Sequence, residues 1–264
     1  MAQQSRDPGR EYIAPVAKVR IQYAKRGRLR FSSHRDFQRA FERALRRAGV
    51  PMAYSAGFRP HPKISYANAA PTGVASEAEY IEIGLAEPRD VDELRVQLDN
   101  AMPPGLDIVD AVLADSGDLV SRLEGSVWEF VFPDLAGETV QAAVDKLLAC
   151  DVVEVDRKTK GGVKKFDVRA PIRRVDVSLN PPEAEQCAIL TLVAQHGTPS
   201  VRPDDVLAAL RQVADLVPPV PVRVTRLAQG LLAADARTVS DPLAPDRAGS
   251  NPKSLDTSTT ASQL

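Results

Sequence analysis

The chain reads as an α+β protein of two tandem ferredoxin-like lobes, the second decorated, with a disordered C-terminal tail. Three observations predict this. Between residues 18 and 114, period-two and amphipathic segments follow the order strand, helix, strand, strand, helix, strand, which is the split βαβ arrangement. A similar order begins again at residue 126. From residue 237 onward Ser, Thr, Pro, Asp and Ala replace any periodic pattern, a composition that buries too little apolar surface to fold. The expected layout is a flexible leader (1–15), a basic lobe with the candidate site (16–116), a second lobe (124–232) and the tail (237–264).

Each element follows from its residues. KVRIQYA (18–24) alternates as a strand, and KRGRLR (25–30) is a basic turn centred on Gly27. Ser33 is placed to cap the next helix, and Asp36 favours its positive end. Phe37, Ala40, Phe41, Ala44, Leu45 and Ala48 form one apolar stripe, and Gly49 stops the helix. KISYA (63–67) and EAEYIEIGL (77–85) are strands, residues 91–101 a helix opened by Asp90, and residues 106–114 the closing strand. In the second lobe, strands are expected at 126–132, 152–156 and 187–194, with helices at 137–149 and 203–213. RKTKGGVKKF (157–166) is a basic hairpin turning on Gly161 and Gly162. FDVRA and VDVSLN supply further strands, and VRVTRLAQ (222–229) closes the lobe.

Composition sets bounds on function. The chain has 264 residues, 44% of them hydrophobic and only 5% aromatic, so the core rests on Leu, Val, Ile and Ala. No run approaches 18 apolar residues, and no apolar segment follows the N-terminal charges, so neither a membrane span nor a signal peptide is expected. Two cysteines, Cys150 and Cys187, are too few for a disulfide framework. A cytoplasmic protein is the consistent expectation. The net charge of −1 hides an asymmetry: residues 1–72 carry twelve Arg and three Lys against two Asp and two Glu, a net of +11. Such a polarised surface suits RNA or an acidic protein partner, unless its charges are paired locally.

The basic residues form one group of candidates for anion or RNA binding: Lys25, Arg26, Arg28 and Arg30 around the first turn, Arg35, Arg39, Arg43, Arg46 and Arg47 on the polar side of the helix, and Arg59 and Lys63 from the following loop. Guanidinium forks suit phosphate. The alternative is a solvated helix face, in part neutralised by a Glu42–Arg46 pair. Tyr54, Phe58 and Tyr66 lie among these charges and are open to base stacking or to core packing. Neither GxxxxGK[ST] nor GxGxxG occurs.

The segment RLRFSSHRDFQRAFERALRRAGVPMAYSAGFRPHPKISYANAAPTGVASEAEY (28–80) closely resembles the radical-SAM-linked, or DUF2344, family. Weaker matches are DRKTKGGVKKFDVRAPI (156–172) and VRPDDVLAAL (201–210), so the resemblance spans most of residues 18–230. It rests on Ser33, His34 and Asp36, on Gly57, Phe58, Arg59, Pro60, His61 and Pro62, and on Ser65, Gly73, Ser76, Glu77 and Glu79. Thr72 departs from the leucine of many relatives. The resemblance implies an accessory protein that works with a separate radical SAM enzyme, in the genomic company of RNA-processing factors. The chain has no C-x-x-x-C-x-x-C run and is expected to hold no iron–sulfur cluster and no cofactor of its own.

His34 and His61 are the candidates for chemistry, with Asp36 and Glu77, or Glu79, as carboxylate partners. His34 opens a helix, where the dipole disfavours an added proton. His61 is held between two prolines that restrict its backbone. General acid–base work on a nucleotide-like or phosphorylated substrate would need both imidazoles at one pocket. No tight ligand spacing accompanies them, so no metal site is expected. His196, beside Gly197, reads as a surface loop residue.

Overall fold

The computed structural model describes residues 14–56, 60–115, 117–159, 161–179 and 187–249. The first half runs β1 (Ala17–Lys25), α1 (His34–Arg47), β2 (Ile64–Ala67), β3 (Ala75–Leu85), α2 (Val91–Ala101) and β4 (Ile108–Leu113). The second runs β5 (Gly125–Pro133), α3 (Gly137–Leu148), β6 (Glu154–Thr159), β7 (Gly162–Asp167), β8 (Ile172–Leu179), β9 (Cys187–Gln195), α4 (Pro203–Ala214) and β10 (Arg223–Leu232). The fold is α+β, with a large mixed sheet.

Among the described residues the β6–β7 hairpin stands alone, and the other strands, with a short β11 (Val239–Ser240) paired to β10, form one nine-stranded sheet. In the first half the neighbours run β4-β1-β3-β2, each pair antiparallel. In the second they run β10-β5-β9-β8, again antiparallel throughout. The two halves join where β10 pairs β3 in parallel, Thr225 against Ala75 and Arg226 against Ser76. Further along β3, Tyr80 to Ile83 pair β2 instead. Asn68 explains the handover. It follows β2 directly with φ of 44°, a left-handed conformation that Asn tolerates better than most residues. The chain turns away there and leaves the edge of β3 to β10. The halves expected as tandem lobes therefore share one sheet.

Side-chain alternation builds the cores. Val19, Ile21 and Tyr23 of β1 and Ile81, Ile83 and Leu85 of β3 pack against Phe37, Phe41, Ala44 and Leu45 of α1 and Leu94 and Leu98 of α2. Tyr23 and Phe37 stack with centroids 4.2 Å apart. Ser33 caps α1 by accepting from the Asp36 N–H at 3.2 Å, and Gly49 ends it at φ of +61°. Trp128, Phe130 and Phe132 of β5 anchor the second core against α3 and α4.

The opposite face of the first half is also covered. Ala67, Ala78, Tyr80 and Val112 pack against Leu119, Leu123 and Leu243. Leu243 belongs to the segment expected to start the disordered tail. That segment folds back instead, as β11 (Val239–Ser240) on β10 and then α5 (Ala244–Gly249). Its hold is electrostatic as well as apolar. Asp246, fully buried, accepts from Arg20 Nη1 at 2.8 Å and Arg122 Nη1 at 2.7 Å. Burial raises that carboxyl's pKa, but the two guanidinium groups outweigh it and hold the group below the usual carboxylate range. An element this short shows no periodicity in sequence, which is why it read as tail. Residues 250–264 of that tail, and 1–13 of the leader, lie outside the described residues.

Candidate functional site

The arginine side of α1 remains open. Arg35, Arg39, Arg43, Arg46 and Arg47 are all exposed, and at 100° per residue they fall within about 120° of the helix circumference. Among the described residues none of them has a carboxylate within ion-pair distance, and the expected Glu42–Arg46 pair is not made. Asp36 interrupts the row at its first turn. Its carboxyl sits below the ordinary value, chiefly through the Ser33 hydroxyl at 2.6 Å, with Arg39 and Arg35 adding to it. The row continues backwards into the 3₁₀ turn Gly27–Phe31. Arg28 is exposed there, and Arg30 lies 4.6 Å over the Phe31 ring, itself 59% exposed. An exposed aromatic ring with arginines on either side in sequence was not picked out by patterning alone. It offers stacking beside charge.

Of the other expected cations, Arg26 and Lys25 are employed elsewhere. Arg26 grips Glu77 through Nε at 2.8 Å and Asp107 through Nη1 at 2.8 Å. Lys25 is buried, and its Nζ donates to the carbonyls of Ala70 and Pro71 at 3.3 and 3.1 Å. Lys63 is half-buried beside β2, its backbone paired with Ala53 and Gly84. Arg59, with Gly57 and Phe58, lies outside the described residues. Tyr66 packs on α1, while Tyr54 is exposed.

Among the described residues no hydrogen bond, ion pair or ring contact joins the four candidates for chemistry to one another. His34 sits exposed at the start of α1, 3.1 Å from Gln38 Nε2 and edge-on to Tyr66. His61 is also exposed, and its backbone N–H donates to Ser55 Oγ at 3.0 Å. Its ring makes no hydrogen bond or ring contact among the described residues. Asp36 is bound to Ser33, and Glu77 to Arg26. Among the described residues no group of three His, Cys, Asp or Glu side chains stands close enough to hold a metal.

A polar cluster appears where sequence reasoning had placed none, at the join of β3 and β10. Glu79 is 1% exposed and Arg226 2%. Arg226 Nη2 donates to Glu79 Oε1 at 2.5 Å and to the Asn68 carbonyl at 2.8 Å. The second Glu79 oxygen accepts the Ala70 N–H at 2.9 Å. Gln229, also buried, donates to the Ala78 carbonyl at 2.6 Å and accepts from Asn68 Nδ2 at 3.1 Å. His196 joins this cluster through Asn68 Nδ2 at 3.3 Å; it lies in a loop as expected, but half-buried rather than at the open surface. One ring nitrogen lies 2.7 Å from the Leu123 carbonyl and the other 2.7 Å from Ser126 Oγ, so Nδ1–H donates and Nε2 accepts. Burial pushes its pKa below 6.5, with the Leu123 carbonyl opposing and Arg226 adding to the fall.

Beside the cluster opens a cleft of about 270 Å³, with the loops following β2 and β9 as its walls and Trp128 and Arg226 on its floor. Arg157 also lines it. That residue, read from the sequence as part of the basic hairpin, is 6% exposed, ion-paired to Asp205 and packed 3.9 Å from the Phe166 ring. A signal for this site existed. Glu79 continues the register of Ile81 and Ile83, Arg226 that of Val222 and Val224, and Arg157 that of Val153 and Val155. A charge on the apolar register of a strand must be paired where it is buried.

No curated protein matches the chain. Among solved structures it is similar to an unknown protein from Galdieria sulphuraria, at 14% identity over 80% of this chain and 98% of that one, with a TM-score of 0.23. It is also similar to an encapsulated DyP-type peroxidase from Mycobacterium smegmatis, at 12% identity over 82% and 91% of the two chains and a TM-score of 0.22. DyPB from Rhodococcus jostii RHA1 matches at 16% identity over 75% and 84%, with a TM-score of 0.20. A family model described as an uncharacterized protein conserved in bacteria, DUF2344, matches residues 18–203, the greater part of the sequence, and the chain belongs to that family.

Proposed function

We propose that the protein is an RNA-binding accessory factor acting with a separate radical SAM enzyme in RNA modification or processing. The observation that carries the RNA part is the row of five exposed α1 arginines without carboxylate partners, continued by Arg28, Arg30 and Phe31. From Arg35 to Arg47 the row extends about 18 Å along the helix axis, long enough to follow several successive phosphates. Arginine neutralises phosphate whatever the base, and an exposed ring adds sequence-tolerant stacking. The repeated strand orders, β4-β1-β3-β2 and β10-β5-β9-β8, support two ferredoxin-like lobes fused edge to edge, with β6–β7 as the decoration. The partner enzyme is implied by the family resemblance together with the missing cluster cysteines. An acid–base enzyme built on His34 and His61 is disfavoured, because the His34 ring is engaged by Gln38 and Tyr66 and no contact joins it to the His61 ring among the described residues.

Purification of the tagged full chain from its native cell tests both parts. Sequencing of bound RNA and mass spectrometry of bound protein are expected to recover an RNA and a radical SAM protein. Recovery of neither overturns the proposal.

A further inference from the structure

The cleft at the join of the two halves carries an inference that does not rest on the RNA reading. Charge is its first basis. Arg157 and Arg226 line it, each buried and paired with a buried carboxylate, Asp205 and Glu79, and the buried Lys25 donates to the carbonyl of Pro71, another lining residue. One positive charge is thus left over in a region of low dielectric, where an uncompensated charge is expensive. Burial also lowers the Lys25 pKa, Glu79 opposing and Arg226 adding to the effect.

Unused donors are the second basis. Arg226 Nε and Arg157 Nη1 are buried and have no hydrogen-bond partner, and both residues line the same cleft. A buried donor without a partner is a standing destabilisation that a bound acceptor relieves. Arg202, exposed at the mouth, adds a third guanidinium from the residue preceding α4. The α4 N-terminus is not itself the anchor, because Asp205 occupies it, accepting the Arg202 N–H at 2.7 Å and pairing with Arg157. His196, both ring nitrogens engaged, is neutral near pH 7 and adds no charge.

We infer that this cleft is a binding site for a small phosphate monoester, held by the guanidinium groups of Arg157, Arg202 and Arg226. Phosphate suits it better than carboxylate because the donors come from three separate elements. A planar carboxylate offers two acceptor oxygens, whereas a tetrahedral dianion offers three. A cleft of about 270 Å³ lies just under the usual range for ligand pockets, so the ligand is a compact one.

Calorimetric titration of the full chain tests this, with inorganic phosphate and ribose 5-phosphate against acetate and chloride at matched ionic strength. Saturable binding of both phosphates is expected, weakened about tenfold by Arg202→Ala, a loss in keeping with one charge-assisted contact. Charge reversal on α1 (Arg39→Glu with Arg43→Glu) is expected to change phosphate affinity less than twofold. Phosphate behaving like chloride overturns the inference. So does affinity that follows the α1 variant, which marks surface binding only, or acetate binding as tightly as phosphate. Failure here leaves the α1 interface untouched, since RNA binding is read in a separate assay.

Discussion

Replacing Glu79 by Gln tests whether the join between the halves is held by a buried charge pair. In the native protein one carboxylate oxygen takes Arg226 Nη2 at 2.5 Å and the other the Ala70 N–H at 2.9 Å. A glutamine keeps one acceptor but turns an NH2 group towards another donor. It also leaves Arg226 and Lys25 buried without their counter-charge. Breaking a buried pair from one side costs about 3–5 kcal/mol. With a urea m-value of roughly 3 kcal/mol/M for a chain of this size, the denaturation midpoint should fall by about 1–1.7 M. Glu77→Gln is the internal contrast: its Arg26 partner is half-exposed, and such pairs contribute about 0–1 kcal/mol, so its midpoint should move by less than about 0.3 M. The double variant Glu79→Leu, Arg226→Met should recover more than half of the loss, because apolar pairs often replace buried ion pairs at little cost. A Glu79→Gln shift no larger than that of Glu77→Gln would refute the reasoning.

Other outcomes follow from the same contacts. The folded His196 pKa lies below 6.5, so the unfolded chain takes up more protons, and stability falls as pH drops from 6.5 towards the folded value; His196→Asn should flatten that fall in urea melts between pH 7 and 5.5. Asp246→Asn confronts Arg20 and Arg122 with an uncharged side chain and should lower stability by about 3–5 kcal/mol, read as a lower urea midpoint with β11 and α5 more open to proteolysis. Ser33→Ala removes the α1 cap, worth about 1 kcal/mol, and should lower Tm by about 2–4 °C in a calorimetric scan.

What was legible in the sequence was local. α1 could be drawn in full because its cap, apolar stripe and terminating glycine lie within seventeen consecutive residues. The strands were legible from alternation, and the β6–β7 turn from its paired glycines. The join was not, since Asn68, Glu79, Ser126, His196, Arg226 and Gln229 meet across more than 150 residues of chain. His196 follows β9 by one residue and lacks any neighbour in sequence to suggest Ser126 or Leu123. The Pro-His-Pro loop drew notice through its composition, yet His61 contributes chiefly backbone pairing with Ser55. Conversely, the basic group was visible at once, but only the structure separates the α1 arginines without carboxylate partners from Lys25 and Arg26, which are committed to internal partners.

The salt dependence of RNA binding tests the central claim most directly. Five arginine–phosphate contacts on single-stranded RNA predict a slope of log K against log salt near −3.5, so affinity measured by fluorescence anisotropy should fall about 100-fold between 50 and 200 mM salt. Arg39→Glu with Arg43→Glu should weaken binding at every salt concentration and flatten the slope by about 1.5. A slope near zero, or a variant that binds RNA as tightly as the native chain, would contradict a nucleic-acid interface on α1.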